Sequence, residues 1–170
     1  MLHELGHRLV FWLTGTPARM GFQRVDPTVP VSDSLWLCGK AGGPLVTLVL
    51  SLVLVAVARR HGSFAWATAA FTQASLRLFP LTVDLVRALR GAPPFSDEGE
   101  LIRALDAATP VRVTLVLSAW AVFGTLSFLA ARTFPFRRHR WLGVAAVYLA
   151  GLAVGIGAAL ADELLGIHGR

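Results

Sequence analysis

The first residues of the chain include two histidines at a spacing typical of metal ligands. His3, Glu4 and His7 belong to the sequence His-Glu-Leu-Gly-His, an HExxH pattern. On a helix, residues i and i+4 lie on one face, so both imidazoles can reach a single Zn²⁺ ion while Glu4 reaches a water beside it. The ion acidifies that water, and a carboxylate can take its proton as the water attacks a carbonyl. The pattern therefore predicts metal-assisted hydrolysis, with His3 and His7 as ligands and Glu4 as the general base.

A catalytic zinc site of this kind needs a third protein ligand, because zinc in such sites usually has three protein ligands and a water. The candidates are carboxylates and histidines elsewhere in the chain: Asp84, Asp97, Glu98, Glu100, His61, His139 and His168. His61 and His139 lie among arginines, as in a solvated basic loop, and His168 lies in the terminal tail, where fraying is common. The sequence therefore favours the carboxylates.

The acidic segment 96–100 has the sequence Ser-Asp-Glu-Gly-Glu and follows Pro93-Pro94. Two prolines interrupt a helix, so the chain can turn back toward the membrane at this point. The segment also fits the start of a helix running to Leu105, with Ser96 as the N-cap and acidic residues in the first turn. A metal-ligand role and a capping role can coexist, and both stay open at this stage.

The composition excludes an ordinary soluble domain. Of 170 residues, 55% are hydrophobic and 15% charged, and the mean hydropathy is +0.62. The formal charge of +6 raises the question of nucleic acid, but the charges flank long neutral runs, as loop charges of membrane proteins do. We therefore expect a lipid bilayer as the surroundings and no nucleic-acid partner.

Four apolar stretches are candidates for membrane spans. Residues 41–58, 113–131 and 141–161 carry no charge, and about 20 apolar residues cross a bilayer core. Residues 62–83 are apolar but contain Arg77 and Pro80, so this stretch either spans with its polar groups facing protein or breaks part-way. We expect Arg77 to pair with an acidic residue such as Asp84, two turns along a helix.

The amino-terminal segment 1–14 predicts a helix that ends near Gly15 and Pro17. It is too short to span a membrane alone, and it lacks the basic start of a signal peptide. A chain that begins further upstream would complete this helix.

These residues together resemble the M50, or site-2 protease, family of intramembrane zinc metallopeptidases. The likeness covers about residues 1–105: the HExxH of a first helix, Gly43-Pro44-Leu45 opening the next long apolar helix, and an Asp-Gly-like element at Asp97. It implies zinc held by His3, His7 and Asp97, with Glu4 as the general base. The family's Asn after Gly-Pro-Leu is Thr47 here, and the Gly after Asp97 is displaced by one position. Asp84 therefore stays an alternative third ligand.

The sequence thus predicts an all-α, multi-pass protein of a bacterial cytoplasmic membrane, with four to five apolar helices in one domain over residues 1–170. Residues 1–105 would form the metallopeptidase-like core and 106–170 two further spans. The expected function is zinc-dependent cleavage of membrane-associated protein or peptide substrates. The alternative is a membrane scaffold or transport-related protein with the same fold and no catalysis.

Overall fold

The computed structural model describes residues 2–21, 25–135, 141–150 and 153. These residues are mostly helical, as expected. The described elements, in chain order, are α1 (Leu2–Leu13), β1 (Ala18–Met20), β2 (Val25–Pro27), α2 (Asp33–His61), α3 (Phe64–Ser75), α4 (Leu78–Leu89), α5 (Asp97–Ala104) and α6 (Thr109–Arg132). A further apolar helical segment covers Trp141–Ala150.

A small β-hairpin follows α1. Helix α1 ends at Leu13, and the turn after it contains Gly15, whose φ of 68° suits glycine. Strand β1 then pairs antiparallel with β2, with Ala18 opposite Pro27. The expectation of an all-α chain did not include these strands, because three residues per strand are too few to produce a readable alternation of apolar and polar positions.

The long helix α2 has 29 residues. The Ser32 side chain accepts a hydrogen bond from the Leu35 amide at its start, and Gly62 ends it in the left-handed conformation. Pro44 lies inside this helix. The prediction that Gly43-Pro44-Leu45 opens the helix was therefore wrong, because a capped helix already begins at Asp33 and continues through the proline.

The apolar stretch 62–83 does not form one continuous helix. It divides into α3 and α4, with the break at Leu76 and Arg77. Pro80 lies in the first turn of α4, where its missing N–H has no helical partner to lose. Of the two alternatives for this stretch, the structure has the broken one.

Small side chains let α2, α3 and α6 approach closely at one end of the molecule. Ala58, Ala67, Ala70 and Ala130 are fully buried there. A second cluster, built on Ala74, Leu81, Phe123 and Leu126, packs α3 and α4 against α6. Helix α5, which carries Asp97, packs mainly against α2 and also contacts α6 and α4.

Among the described residues, two helices are long and apolar enough to cross a membrane, α2 and α6. Only 33% and 28% of the residues in their most apolar windows are buried, so the other residues of these windows are half-buried or exposed. The stretch 141–161 is described only as far as Ala150 and at residue 153, and the rest of this expected span lies outside the described residues.

Candidate metal centre

Glycines bring α1 against α2. Gly6 of α1 and Gly42 of α2 touch through their backbones, and a Cβ on either would overlap the carbonyl of the other. Gly43 lies directly beneath the imidazoles, where a Cβ would overlap the His7 ring and come within 2.6 Å of His3 Cε1. The Gly-Gly pair of α2 therefore makes the space that the two histidines occupy.

Three side chains from two distant parts of the sequence meet at this contact. His3 Nε2 lies 2.9 Å from Asp97 Oδ2, and His7 Nε2 lies 3.1 Å from the same oxygen. The two Nε2 atoms are 3.0 Å apart. These three residues are a group whose ligand atoms could hold one metal ion.

Hydrogen bonds on the far side of each imidazole orient the rings. His7 Nδ1 lies 2.7 Å from the Gly39 carbonyl, and His3 Nδ1 lies 2.9 Å from the Thr47 hydroxyl. Thr47 is 1% exposed, so its hydroxyl has little access to other partners. Outer hydrogen bonds of this kind fix the tautomer and the ring angle of metal-binding histidines.

The tautomer of His7 determines what faces Asp97. A carbonyl can only accept, so His7 Nδ1 is the nitrogen that donates to Gly39; the Gly43 amide approaches the same atom less closely, at 3.3 Å. The neutral His7 ring then presents an unprotonated Nε2, and the Asp97 carboxylate also presents lone pairs. Lone pairs this close repel one another unless a cation, either a proton or a metal ion, lies between them.

The donor set and its size fit zinc. Imidazole nitrogen and carboxylate oxygen are both zinc ligands, and ligand atoms at about 2.0–2.1 Å from a tetrahedral ion lie about 3.3–3.4 Å from one another. The three contacts here, 2.9, 3.0 and 3.1 Å, are smaller than this by a few tenths of an ångström. Small side-chain movements would therefore open the triangle to the required size.

Glu4 lies beside the cluster on the same helix. It is 7% exposed and lines a small cavity of about 30 Å³ together with His7, Lys40 and Asp97. A cavity of this size has room for about one or two waters. The arrangement therefore gives a carboxylate and a water-sized space beside two of the three candidate ligands, His7 and Asp97.

Lys40 supplies a positive charge to the cluster. Its Nζ donates to Asp97 Oδ1 at 2.9 Å and lies 3.1 Å from Glu100 Oε2. Burial alone would raise the pKa of Asp97, but the contacts with both imidazoles and the charge of Lys40 outweigh it. The pKa of Asp97 is therefore held well below its ordinary range, and the carboxylate is ionised.

Asp97 is placed by its sequence neighbours. Ser96 caps α5, accepting from the Gly99 amide at 3.2 Å, so the predicted helix cap is confirmed. Asp84 of α4 in turn accepts hydrogen bonds from the Ser96 amide and hydroxyl. On the other side, Glu98 is 7% exposed and forms a two-point ion pair with the Arg77 guanidinium.

These contacts change the expected partner of Arg77 and distinguish between the two aspartates considered as the third ligand. Arg77 pairs with Glu98 and not with Asp84, because the turn before α5 brings Glu98 back onto the start of α4. Asp84 is 2% exposed, and the structure gives it the role of an anchor for Ser96. Among the two aspartates left open by the sequence, only Asp97 lies with the histidines.

The other candidate ligands lie elsewhere. Glu98 and Glu100 pair with Arg77 and Lys40. His61 is the last residue of α2, about 27 Å along the helix from Gly43 at 1.5 Å per residue. His139 and His168 lie outside the described residues.

Sequence reasoning missed Lys40 and the packing role of Gly42 and Gly43. Lys40 is the only lysine in the chain, and a lone lysine in an arginine-rich sequence was the available signal. The glycines were noted only as part of a motif, because their contact with α1 depends on how the two helices pack.

Comparisons of the chain with protein-family models, with curated proteins and with solved structures give no match.

Proposed function

We propose that this protein is a zinc-dependent peptidase that cleaves membrane-associated protein or peptide substrates. The observation that carries the proposal is the convergence of His3 Nε2, His7 Nε2 and Asp97 Oδ2, with Glu4 lining a small cavity together with His7 and Asp97. Three lone-pair donors, a carboxylate beside them and a water-sized space are the parts that metal-assisted hydrolysis requires.

His3, His7 and Asp97 would hold the ion. Zinc bound there would act as a Lewis acid, which polarises a carbonyl and makes water nucleophilic at neutral pH. Thr47 and the Gly39 carbonyl keep both imidazole rings aimed at the site, so the ligands need little reorganisation.

Glu4 would take the proton from the attacking water and pass it to the leaving amine. It follows His3 directly in the sequence, and its side chain lines the cavity with His7 and Asp97. A general base must reach the proton that it abstracts directly or through one water, and the small cavity that Glu4 lines has room for such a water.

The membrane part of the proposal is supported by the outward-facing apolar residues of α2 and α6. On α2, Leu45, Val49 and Leu52 are more than half exposed. An apolar surface of this extent needs a partner, and lipid is the partner that long helices of this composition fit. We propose a multi-pass protein in which the site lies against the spanning helix α2, so that substrates reach it from the membrane.

The metal is tested by elemental analysis of the detergent-purified protein, in wild type and in His3→Ala, His7→Ala, Asp97→Ala and Asp84→Asn. We expect near-stoichiometric zinc in wild type, loss of zinc in the first three variants and retention in Asp84→Asn, if that variant stays folded. A folded wild type without zinc, or with iron in its place, would contradict the proposal.

Catalysis is tested with Glu4→Gln, which keeps the size of the side chain and removes its basicity. Wild type and variant are incubated with peptides from a digested membrane fraction, and new cleavage products are counted by mass spectrometry. Asp33→Asn, at an exposed carboxylate, is the matched control. We expect cleavage in wild type and control, and none in a zinc-loaded Glu4→Gln. Zinc binding without any cleavage would favour the non-catalytic membrane protein.

A further inference from the structure

Lys40 is the residue whose presence the proposed reaction does not explain. The chain has 16 basic Lys and Arg residues, and all except Lys40 are arginine. This one lysine lies in the cavity with Glu4, His7 and Asp97, with its side chain 20% exposed. Its Nζ is also 5.0 Å from the centre of the Trp36 ring, which limits where the ammonium can go.

The two oxygens of the Asp97 carboxylate have different partners. Lys40 Nζ donates to Oδ1 at 2.9 Å, whereas both imidazoles contact Oδ2. Glu100, the next acidic residue of α5 on this side, lies 3.1 Å from Nζ and draws the ammonium toward α5. The ammonium therefore keeps one carboxylate oxygen away from the histidines and leaves the other facing them.

The geometry points to Lys40 as a positioning residue that holds Asp97 by Oδ1, so that Asp97 gives the metal one oxygen and leaves a coordination position open toward Glu4. A carboxylate can bind zinc through one oxygen or two, and a catalytic site needs a free position. This inference rests on the proposed metal site.

The same geometry explains why the residue is lysine. An ammonium acts as a point charge that can bind one oxygen, whereas a guanidinium is a planar fork that prefers both oxygens of a carboxylate. Arginine at position 40 would compete with the histidines for Oδ2. The charge is the same in both cases, so Lys40→Arg changes the geometry without changing the net charge of the site.

The experiment measures Zn²⁺ affinity by competition with a chromophoric chelator, and records the visible spectrum of bound Co²⁺, in wild type, Lys40→Arg and Lys40→Met. Arg103→Lys, an exposed exchange on α5, is the matched control. We expect Lys40→Arg to bind Zn²⁺ about 10–100-fold more weakly, as for other residues that orient a ligand. In Lys40→Met, both Asp97 oxygens become available, so the Co²⁺ band should shift and lose intensity, because five-coordinate Co²⁺ absorbs less than tetrahedral Co²⁺.

The outcomes separate this inference from the proposed function. If wild type binds zinc through its histidines, but Lys40→Arg binds it equally well and the Co²⁺ spectra are unchanged, the role of Lys40 is overturned and the metal site stands. If wild type binds no metal, both are overturned. If Lys40→Arg does not fold, the Lys40→Met spectrum decides: a changed band supports the inference, and an unchanged band overturns it.

Discussion

The buried ion pair between Arg77 and Glu98 gives the sharpest test of how Asp97 is held in place. Arg77 Nε donates to Glu98 Oε1 at 2.9 Å, and the second guanidinium nitrogen donates to the other oxygen. The two side chains are only 15% and 8% exposed, so neither charge would be well solvated if its partner were removed. The pair ties the residue after Asp97 to the start of α4.

We expect either single change, Arg77→Met or Glu98→Leu, to lower the free energy of unfolding by about 3–5 kcal/mol, because each leaves an uncompensated buried charge. The double variant Arg77→Met/Glu98→Leu removes both charges and should lie within about 1–2 kcal/mol of wild type, since apolar replacement of a buried pair is often close to neutral. The coupling energy of the cycle would then be about 4 kcal/mol or more in magnitude, above the roughly 0.5–3 kcal/mol usual for residues in direct contact.

The assay is equilibrium unfolding in mixed detergent and SDS micelles, with helical circular dichroism as the signal. Zinc affinity of the folded double variant is measured beside it, because Asp97 should lose part of its positioning even where stability returns. Single changes that cost less than about 1 kcal/mol, the level of an exposed pair, would refute the reasoning. A double variant that costs the sum of the two single changes would refute it as well.

Three further predictions follow from the same contacts. Gly43→Ala should weaken zinc binding about 10–100-fold by displacing the imidazoles, whereas Gly124→Ala, which meets only ordinary contacts at 3.7 Å or more, should not change it. Asp84→Asn should lower the unfolding free energy by about 1.5–3 kcal/mol, seen in the same unfolding assay, and an unchanged value would refute its anchoring role. The pKa of Asp97 in the folded, metal-free protein lies below its ordinary value of 3.8, so its contribution to stability is complete above that pH and decreases as the pH falls further. Thermal melts between pH 3 and 7, wild type against Asp97→Asn, should keep a constant difference at neutral pH and begin to converge only below about pH 4.

The parts of the structure that the sequence predicted well depend on residues that lie close together in the chain. The i, i+4 spacing puts His3 and His7 on one helical face in any α-helix, and α1 covers Leu2–Leu13 as expected. Ser96 followed by acidic residues predicts a capped helix from neighbours in sequence, and α5 begins there. Long neutral stretches likewise predicted α2 and α6, because length and apolarity are local properties.

The third candidate ligand could not be chosen in this way. Asp84 and Asp97 carry the same carboxylate, and either could be a ligand by type and approximate position. The packing of α4 against α6 and of α5 against α2 decides between them, since it turns Asp84 toward Ser96 and Asp97 toward the histidines. Contacts between residues 94 positions apart, as for His3 and Asp97, leave no periodic trace in a single sequence.

The sequence by itself determined the chemical groups, the helical face that carries the histidines and the long apolar stretches that follow them in the chain. Only the tertiary structure decided which carboxylate completes the cluster, that Arg77 pairs with Glu98, and that Lys40 holds one oxygen of Asp97. The reason is physical: burial makes an unpaired charge costly, so each charged group takes the partner that the packing of the helices brings within reach.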